Sequence, residues 1–219
     1  VTDLEHAQAL DQYFTRPLLA KTVVEWAGIQ PGQRVLEPSC GAGDLVRWMP
    51  EGATIHAMDV DRSVFSTWDE ATKAKVDIGF DAVGDFLAWR TAPSDCYDLA
   101  VMNPPYGYVG KGKARQAADR LHVQHALRMA PEVICLVRAN FLWGQERYSH
   151  ILRFAEVVRM AVLTHRPSFH GPALLPGQDA ARHDFAVYHL RRAPDRMLRE
   201  EKVDAASVEF WTQDWRLAA

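Results

Sequence analysis

Cysteine is scarce in this chain. Its 219 residues hold three, Cys40, Cys96 and Cys135, too few and too scattered for a disulfide framework or for a zinc site built on paired cysteines. Long apolar runs are absent as well, and no stretch approaches the roughly 20 residues of a membrane span. The first ten residues are acidic and polar and lack the basic and apolar regions of a secretory signal. The expectation is therefore a cytoplasmic protein with reduced thiols, no metal and no membrane partner. Internal repeats and low-complexity tracts are also missing. What remains is ordinary: 48% hydrophobic and 24% charged residues, with 13 Gly and 12 Pro. Such a composition suits a single globular domain over residues 1–219, with 191–219 as a packed C-terminal extension.

An excess of positive charge is lacking too, since the net charge is −3. Its distribution is uneven. Residues 1–105 carry 8 Lys/Arg against 16 Asp/Glu, residues 106–166 carry 10 against 4, and residues 167–219 carry 7 against 8. A basic middle third in an acidic chain either places positive potential on one face or merely solvates helix faces through arginines such as Arg147 and Arg153.

Two periodicities alternate along the chain. Short apolar runs bounded by turn residues predict strands at 34–37, 54–59, 99–102, 133–137, 157–163 and 185–190. Longer stretches between them predict helices at 17–27, 44–49, 62–74, 114–129 and 145–155. The strands are mostly unbroken apolar runs, as in a parallel sheet covered on both faces. The expected fold class is α/β, a doubly wound, mostly parallel sheet. The segment 106–112 is glycine-rich and reads as a mobile loop, and 167–184 is long for a connection in a compact domain.

Glu37-Pro38-Ser39-Cys40-Gly41-Ala42-Gly43 follows the first predicted strand and leads into a helix. Ligands of doubly wound sheets bind at the carboxyl ends of strands, where glycine lets the backbone approach them closely. A carboxylate at Glu37 suits a cationic or amine-bearing ligand. The spacing matches neither the dinucleotide fingerprint nor the lysine-bearing phosphate loop, and a plain tight turn is the competing reading. The next strand ends in Asp59-Val60-Asp61. Both acids lie where ribose hydroxyls are held in such folds. Asp61 also suits a helix N-cap, which leaves Asp59 for the ribose. Asp85-Phe86 offers an acceptor for an amino group and a ring for a planar ligand, or else a turn aspartate beside a core phenylalanine.

Asn103-Pro104-Pro105-Tyr106 directly follows the apolar strand at 99–102. Two prolines end the strand sharply, because neither has a backbone donor and both fix φ. The Asn103 side chain and the Pro104 carbonyl then supply two acceptors for an amino group with two hydrogens. Tyr106 supplies an aromatic plane.

With these motifs in this order, residues 11–190 resemble the S-adenosylmethionine-dependent DNA adenine-N6 methyltransferases, particularly small phage-borne members. The resemblance implies a class I, Rossmann-like, seven-stranded fold with S-adenosylmethionine as cofactor. It makes Glu37, Pro38, Ser39, Gly41 and Gly43 the cofactor loop. Asp59 then holds the ribose, while Asp85 and Phe86 hold the cofactor adenine. Tyr13-Phe14-Thr15-Arg16-Pro17 resembles the upstream family motif, with Tyr13 and Thr15 at the cofactor and Thr15 on its methionine carboxylate. Asn103, Pro104, Pro105 and Tyr106 form the catalytic loop, with Asn103 also touching the cofactor. Phe169 packs on the far face of a flipped adenine opposite Tyr106, or is a hydrophobic staple. Lys111, Lys113 and Arg115 hold flanking phosphates. The implied partner is DNA, with RNA as the alternative.

The chemistry so implied requires neither a metal nor a covalent intermediate. Cytosine-C5 enzymes of the wider group attack with a Pro-Cys thiolate, whereas Cys40 falls inside the cofactor loop and reads as a small buried residue. The Asn-Pro-Pro-Tyr signature is shared with RNA adenine-N6 and guanine-N2 methyltransferases and with protein-glutamine methyltransferases. Family members with this motif order carry a large target-recognition domain after the catalytic part, whereas 29 residues follow Leu190 here. Relaxed sequence preference, a homodimer or a specificity partner is expected in consequence.

Overall fold

The computed structural model describes residues 5, 10, 12–76, 82–89, 96–112, 115–171, 183–193, 207–213 and 215. Four short strands come first: β1 (Phe14–Thr15), β2 (Arg34–Glu37), β3 (Thr54–Ala57) and β4 (Leu99–Met102). A hairpin of β5 (Tyr108–Val109) and β6 (Gln116–Ala117) follows, then β7 (Glu132–Arg138), β8 (Ala155–Leu163), β9 (Phe169–His170), β10 (Phe185–Arg192) and β11 (Ser207–Trp211). The helices are α1 (Pro17–Ala27), α2 (Asp44–Trp48), α3 (Glu70–Lys73), α4 (Ala118–Met129) and α5 (Gln145–Arg147).

Seven strands form one sheet in the order β3-β2-β4-β7-β10-β8-β11. The pairs β3–β2, β2–β4, β4–β7 and β8–β11 are parallel, and β10 alone runs against its neighbours. The connection from β2 leads to β3 on one side, and the next strand, β4, lies on the other. Right-handed crossovers in opposite directions put α2 and α4 on opposite faces of the sheet. Strand order reverses between β2 and β4, which leaves a crevice at their carboxyl ends. This is the mixed, mostly parallel seven-stranded sheet of a class I methyltransferase. All four residues of β4 are buried, as are the five inner residues of β7, which explains why these strands lack polar alternation.

Helix α1 begins with Pro17 at its first turn and ends at Gly28, whose φ of 68° suits a residue without Cβ. Three predicted helices are shorter than expected. The span 62–74 divides into a 3₁₀ turn at Arg62–Thr67 and α3, because Trp68 turns inward to donate its indole N–H to the Gly41 carbonyl at 2.8 Å. Asp69 then caps α3 through the Thr72 amide at 2.7 Å. The span 114–129 yields a helix only from Ala118, since Gln116 and Ala117 pair with Val109 and Tyr108. Tyr108 and Val109, within the glycine-rich segment expected as a loop, form one strand of that hairpin. The span 145–155 gives α5 and one π turn at Tyr148–Leu152 before β8 starts at Ala155.

The strand β11 was not anticipated. It pairs with β8, and Trp215 beyond it is fully buried. Trp26 of α1 secures this edge. Its indole N–H donates to Glu209 at 2.9 Å, its ring meets Trp211 edge-on at 5.7 Å, and the Arg159 guanidinium lies 4.0 Å from its ring centre. Among the described residues, no helix is long and apolar enough to cross a membrane. Trp26→Ala is expected to cost about 3 kcal/mol in urea denaturation. Trp26→Phe is expected to recover most of that but not the bond to Glu209, and an unchanged midpoint in the alanine variant would refute this role.

Candidate active site

Glu37 ends β2 and Asn103 follows β4, so the two stand on neighbouring strands at the crevice. Between them and the N-terminal segment lies a cavity of about 330 Å³. Tyr13, Thr15, Glu37, Pro38, Ser39, Gly41, Asp59, Asp85, Phe86, Asn103 and Pro105 all line it. Gly43, Pro104, Tyr106 and Phe169 are not part of the wall.

The glycine turn is braced from three sides. The Gly41 amide donates to Asp59 Oδ2 at 2.9 Å, the Gly41 carbonyl accepts from Trp68, and the Cys40 amide donates to the Met58 carbonyl at 3.0 Å. Gly41 and Gly43 both have positive φ, 47° and 77°. A Cβ on Gly41 would lie 2.7 Å from the Phe14 ring, and one on Gly43 would lie 2.8 Å from the Trp68 ring. Glycine is therefore required by both conformation and contact. Cys40 is buried, as expected, and burial holds its thiol well above the usual range.

Glu37 is 1% exposed. Its Oε1 accepts from the Ser39 amide at 3.1 Å, while Oε2 is buried with no hydrogen-bond partner. Burial pushes its carboxyl well above the ordinary range, and the nearby Asp59 carboxylate adds to the effect. Asp59 is raised as well, chiefly by burial, against the amides of Asp61 and Gly41 that favour its charge. Two desolvated acids facing one cavity suit a ligand bearing positive charge, and the unpaired Glu37 Oε2 is an acceptor awaiting a donor.

Of the other acids, Asp61 caps a turn and is not part of the cavity wall, whereas Asp85 both caps a turn and lines the cavity. Asp61 caps the following turn through the Ser63 amide at 2.9 Å, and Asp85 caps its own turn through the Leu87 amide at 2.9 Å. Asp85 nevertheless lines the cavity beside Phe86, whose buried ring meets His125 at 4.6 Å. His122 closes this end of the cavity, and burial lowers its pKa.

A strap formed by residues 12–15 crosses the crevice. Gln12 Nε2 donates to Asp61 Oδ2 at 2.6 Å. β1 pairs antiparallel with β9, and His170 Nε2 lies 2.9 Å from Asp44 Oδ2 and 3.2 Å from the Thr15 carbonyl. Gln12, Asp44 and His170 receive no role from the sequence alone, because each bond spans 49 residues or more. Asn103 reaches the same strap: Nδ2 donates to the Tyr13 carbonyl at 3.1 Å and to Thr15 Oγ1 at 3.0 Å. Its Oδ1 accepts from the Tyr106 hydroxyl.

Tyr106 and Phe169 do come together, but they bracket no slot. Their ring centres are 6.1 Å apart at 51°, and Phe185 packs edge-on against both at 5.2 and 5.1 Å. A base between two rings needs near-parallel planes about 7 Å apart, two stacking contacts of about 3.5 Å each. In this structure the pair is a buried aromatic cluster, because the Tyr106 hydroxyl is held by Asn103 and lies 3.2 Å from the Leu136 carbonyl.

Lys111 and Arg115 are exposed on the β5–β6 hairpin, with the Arg115 guanidinium 3.8 Å from the Tyr108 ring centre. Lys113 lies outside the described residues. The basic middle third is divided between surface and interior. Arg147 is not a solvating arginine, for it pairs with buried Asp119 at 2.9 Å and lies over Phe141. Arg120 is buried and bonds to the side chains of Gln116 and Gln124.

No protein-family model matches the chain. It is 32% identical over 110 residues to the type II methyltransferase M.TthHB8I of Thermus thermophilus, covering 48% of this chain and 23% of that protein. It is 24% identical over 137 residues to the tRNA (guanine(10)-N2)-dimethyltransferase of Methanothermobacter thermautotrophicus, covering 58% of this chain and 39% of the relative. The matched segments thus span less than two-fifths of the length of these curated relatives. A candidate class I S-adenosylmethionine-dependent methyltransferase of Listeria monocytogenes superposes with a TM-score of 0.61 at 13% identity, over 89% of this chain and 63% of that one. The sequence relatives are methyltransferases and the fold is the class I methyltransferase fold. Together they support S-adenosylmethionine, a cation with an added ammonium group, as the cofactor that fits this acidic cavity.

Glu37 supplies a pH test. A carboxyl held above its ordinary range stabilises the fold while protonated, and that contribution is lost as pH rises through its folded-state value. Glu37→Gln is therefore expected to melt higher than the parent protein at about pH 8, with the gap narrowing toward about pH 5. A gap independent of pH would show that Glu37 does not carry the buried charge.

Proposed function

We propose that this protein transfers a methyl group from S-adenosylmethionine to the N6 amino group of an adenine flipped out of DNA. The observation that carries the reading is the Asn103 carboxamide, fixed beside an acid-lined cavity at the switch point of a methyltransferase fold. The Asn-Pro-Pro-Tyr motif, following β4, supports the reading because it offers acceptors of the kind an amino group needs.

The cofactor supplies an activated methyl on a sulfonium. Glu37 and the turn through Ser39, Gly41 and Gly43 would hold its methionine end, with Tyr13 and Thr15 from the strap. Asp59 would take the ribose, and Asp85 with Phe86 the adenine. The Asn103 side-chain carbonyl keeps a second lone pair beside the one used by Tyr106, and the Pro104 carbonyl, next in the chain, would be the other acceptor. Hydrogen bonds from the target amino group to both would localise its lone pair for in-line attack. A base inside a duplex cannot reach this crevice, so it must be extruded. Stacking on Tyr106 and Phe169 requires the two rings to part, and would return roughly 1–3 kcal/mol per stacked base. Lys111 and Arg115 lie on the hairpin directly after the catalytic loop, suited to flanking phosphates.

A second reading is methylation of RNA at adenine N6 or guanine N2. It is favoured by the tRNA guanine-N2 relative, whose match covers more of this chain than the type II methyltransferase does. Transfer of labelled methyl to double-stranded DNA and, separately, to total RNA decides between them after digestion to nucleosides. Label in N6-methyldeoxyadenosine is expected, and label confined to RNA would replace the DNA reading with the second. Asn103→Ala is expected to lower transfer by about 100-fold or more while the protein still binds cofactor in calorimetry. Transfer at the parental rate would refute the site assignment.

A further inference from the structure

The Asn103 amide has one orientation available to it. The Tyr13 carbonyl accepts and cannot donate, so the atom 3.1 Å from it must be the NH2 group and not the amide oxygen. The second amide hydrogen goes to Thr15 Oγ1 at 3.0 Å. The strap thereby takes both hydrogens, and the amide oxygen faces Tyr106. Turning the group over would set oxygen against oxygen at Tyr13 and leave both lone pairs pointing away from Tyr106.

Thr15 is 3% exposed and is one of the residues that line the cavity. A threonine hydroxyl has one hydrogen and two lone pairs. Accepting from Asn103 uses a lone pair, and among the described hydrogen bonds the Thr15 hydroxyl donates to nothing. Its hydrogen therefore has no acceptor among the described residues.

We infer that Thr15 is a positioning residue for the reaction. With the Tyr13 carbonyl it fixes the Asn103 amide so that its carbonyl serves the target amino group, and with the methionine end of the cofactor placed as proposed above its one hydrogen is the donor left for the cofactor. Polarising the hydroxyl from one side strengthens its bond on the other, so cofactor binding and the hold on Asn103 reinforce each other. This inference rests on the proposed function for its consequence in catalysis, but the hydrogen-bond chain itself exists without substrate.

The test uses the side-chain amide resonances of Asn103 in the full chain, identified by their disappearance in Asn103→Ala. In the parent protein and in Thr15→Ser these hydrogens are expected to exchange slowly with solvent, and more slowly again with S-adenosylhomocysteine bound. In Thr15→Val, which keeps the shape and removes the hydroxyl, exchange is expected to quicken at least tenfold and the cofactor product to have no further effect. In turnover assays Thr15→Val is expected to lower kcat by about 10- to 100-fold with little change in KM for the nucleic acid, and Thr15→Ser to restore it. Should Thr15→Val melt far below the parent, Thr15→Ala takes its place in both measurements. Equal protection of the Asn103 amide in the hydroxyl-free variant overturns the inference. So does protection that S-adenosylhomocysteine leaves unchanged in the parent. Failure of the parent protein to methylate DNA or RNA overturns the proposed function instead and leaves the exchange result standing.

Discussion

Two short parallel strands, β2 and β4, meet through only two residue pairs, Val35 with Leu99 and Leu36 with Ala100. The site depends on that pairing. Crossovers depart from it in opposite directions, so the loops after the two strands diverge and leave a crevice rather than packing on each other. Glu37 and Asn103 face the crevice because each stands at the end of one of these strands. The Ser39 hydroxyl, 3.3 Å from the Asn103 main-chain carbonyl, is a direct polar link between the glycine turn and the Asn-Pro-Pro-Tyr loop.

The strap completes what the switch point begins. Phe14 lies against Gly41 and Gly171 so closely that neither position has room for a Cβ. Gln12, Thr15 and Asn103 then join the N-terminal segment to both halves of the crevice. A segment of four residues thus touches the turn that would hold a cofactor and the amide that would receive a base. One hydroxyl, that of Thr15, stands between the two.

Electrostatics explain the ligand better than shape does. The cavity buries Glu37 and partly buries Asp59 with incomplete pairing, an arrangement that costs stability unless a cation arrives. The carboxyls respond by holding their protons more tightly, and a sulfonium cofactor with an ammonium group offers the charge that would reverse this. The same acids make the cavity unattractive to the phosphates of a nucleic acid, which fits with cationic side chains on the β5–β6 hairpin outside it.

Local chemistry carried much of the reading. Apolar runs too continuous for a half-exposed sheet gave away β2, β4, β7 and β10. Two prolines after Met102 marked the end of β4 and the start of the Asn-Pro-Pro-Tyr loop. Helix length was misjudged wherever a long-range bond overrode propensity, as at Trp68, whose indole reaches back 27 residues to Gly41. Strand β11 was missed because its residues alternate between partly and fully exposed positions and pair with β8 some 48 residues away. The sequence by itself determined the fold class, the glycine turn and the position of Asn103 at a strand end, because turn chemistry and burial on both faces act within a few residues. Only the tertiary structure decided that Tyr106 and Phe169 touch, that Arg147 is an internal ion partner, and that Thr15 holds the Asn103 amide. Those outcomes turn on directional hydrogen bonds and ring contacts between residues dozens of positions apart, whose geometry exists only once the chain has closed around them.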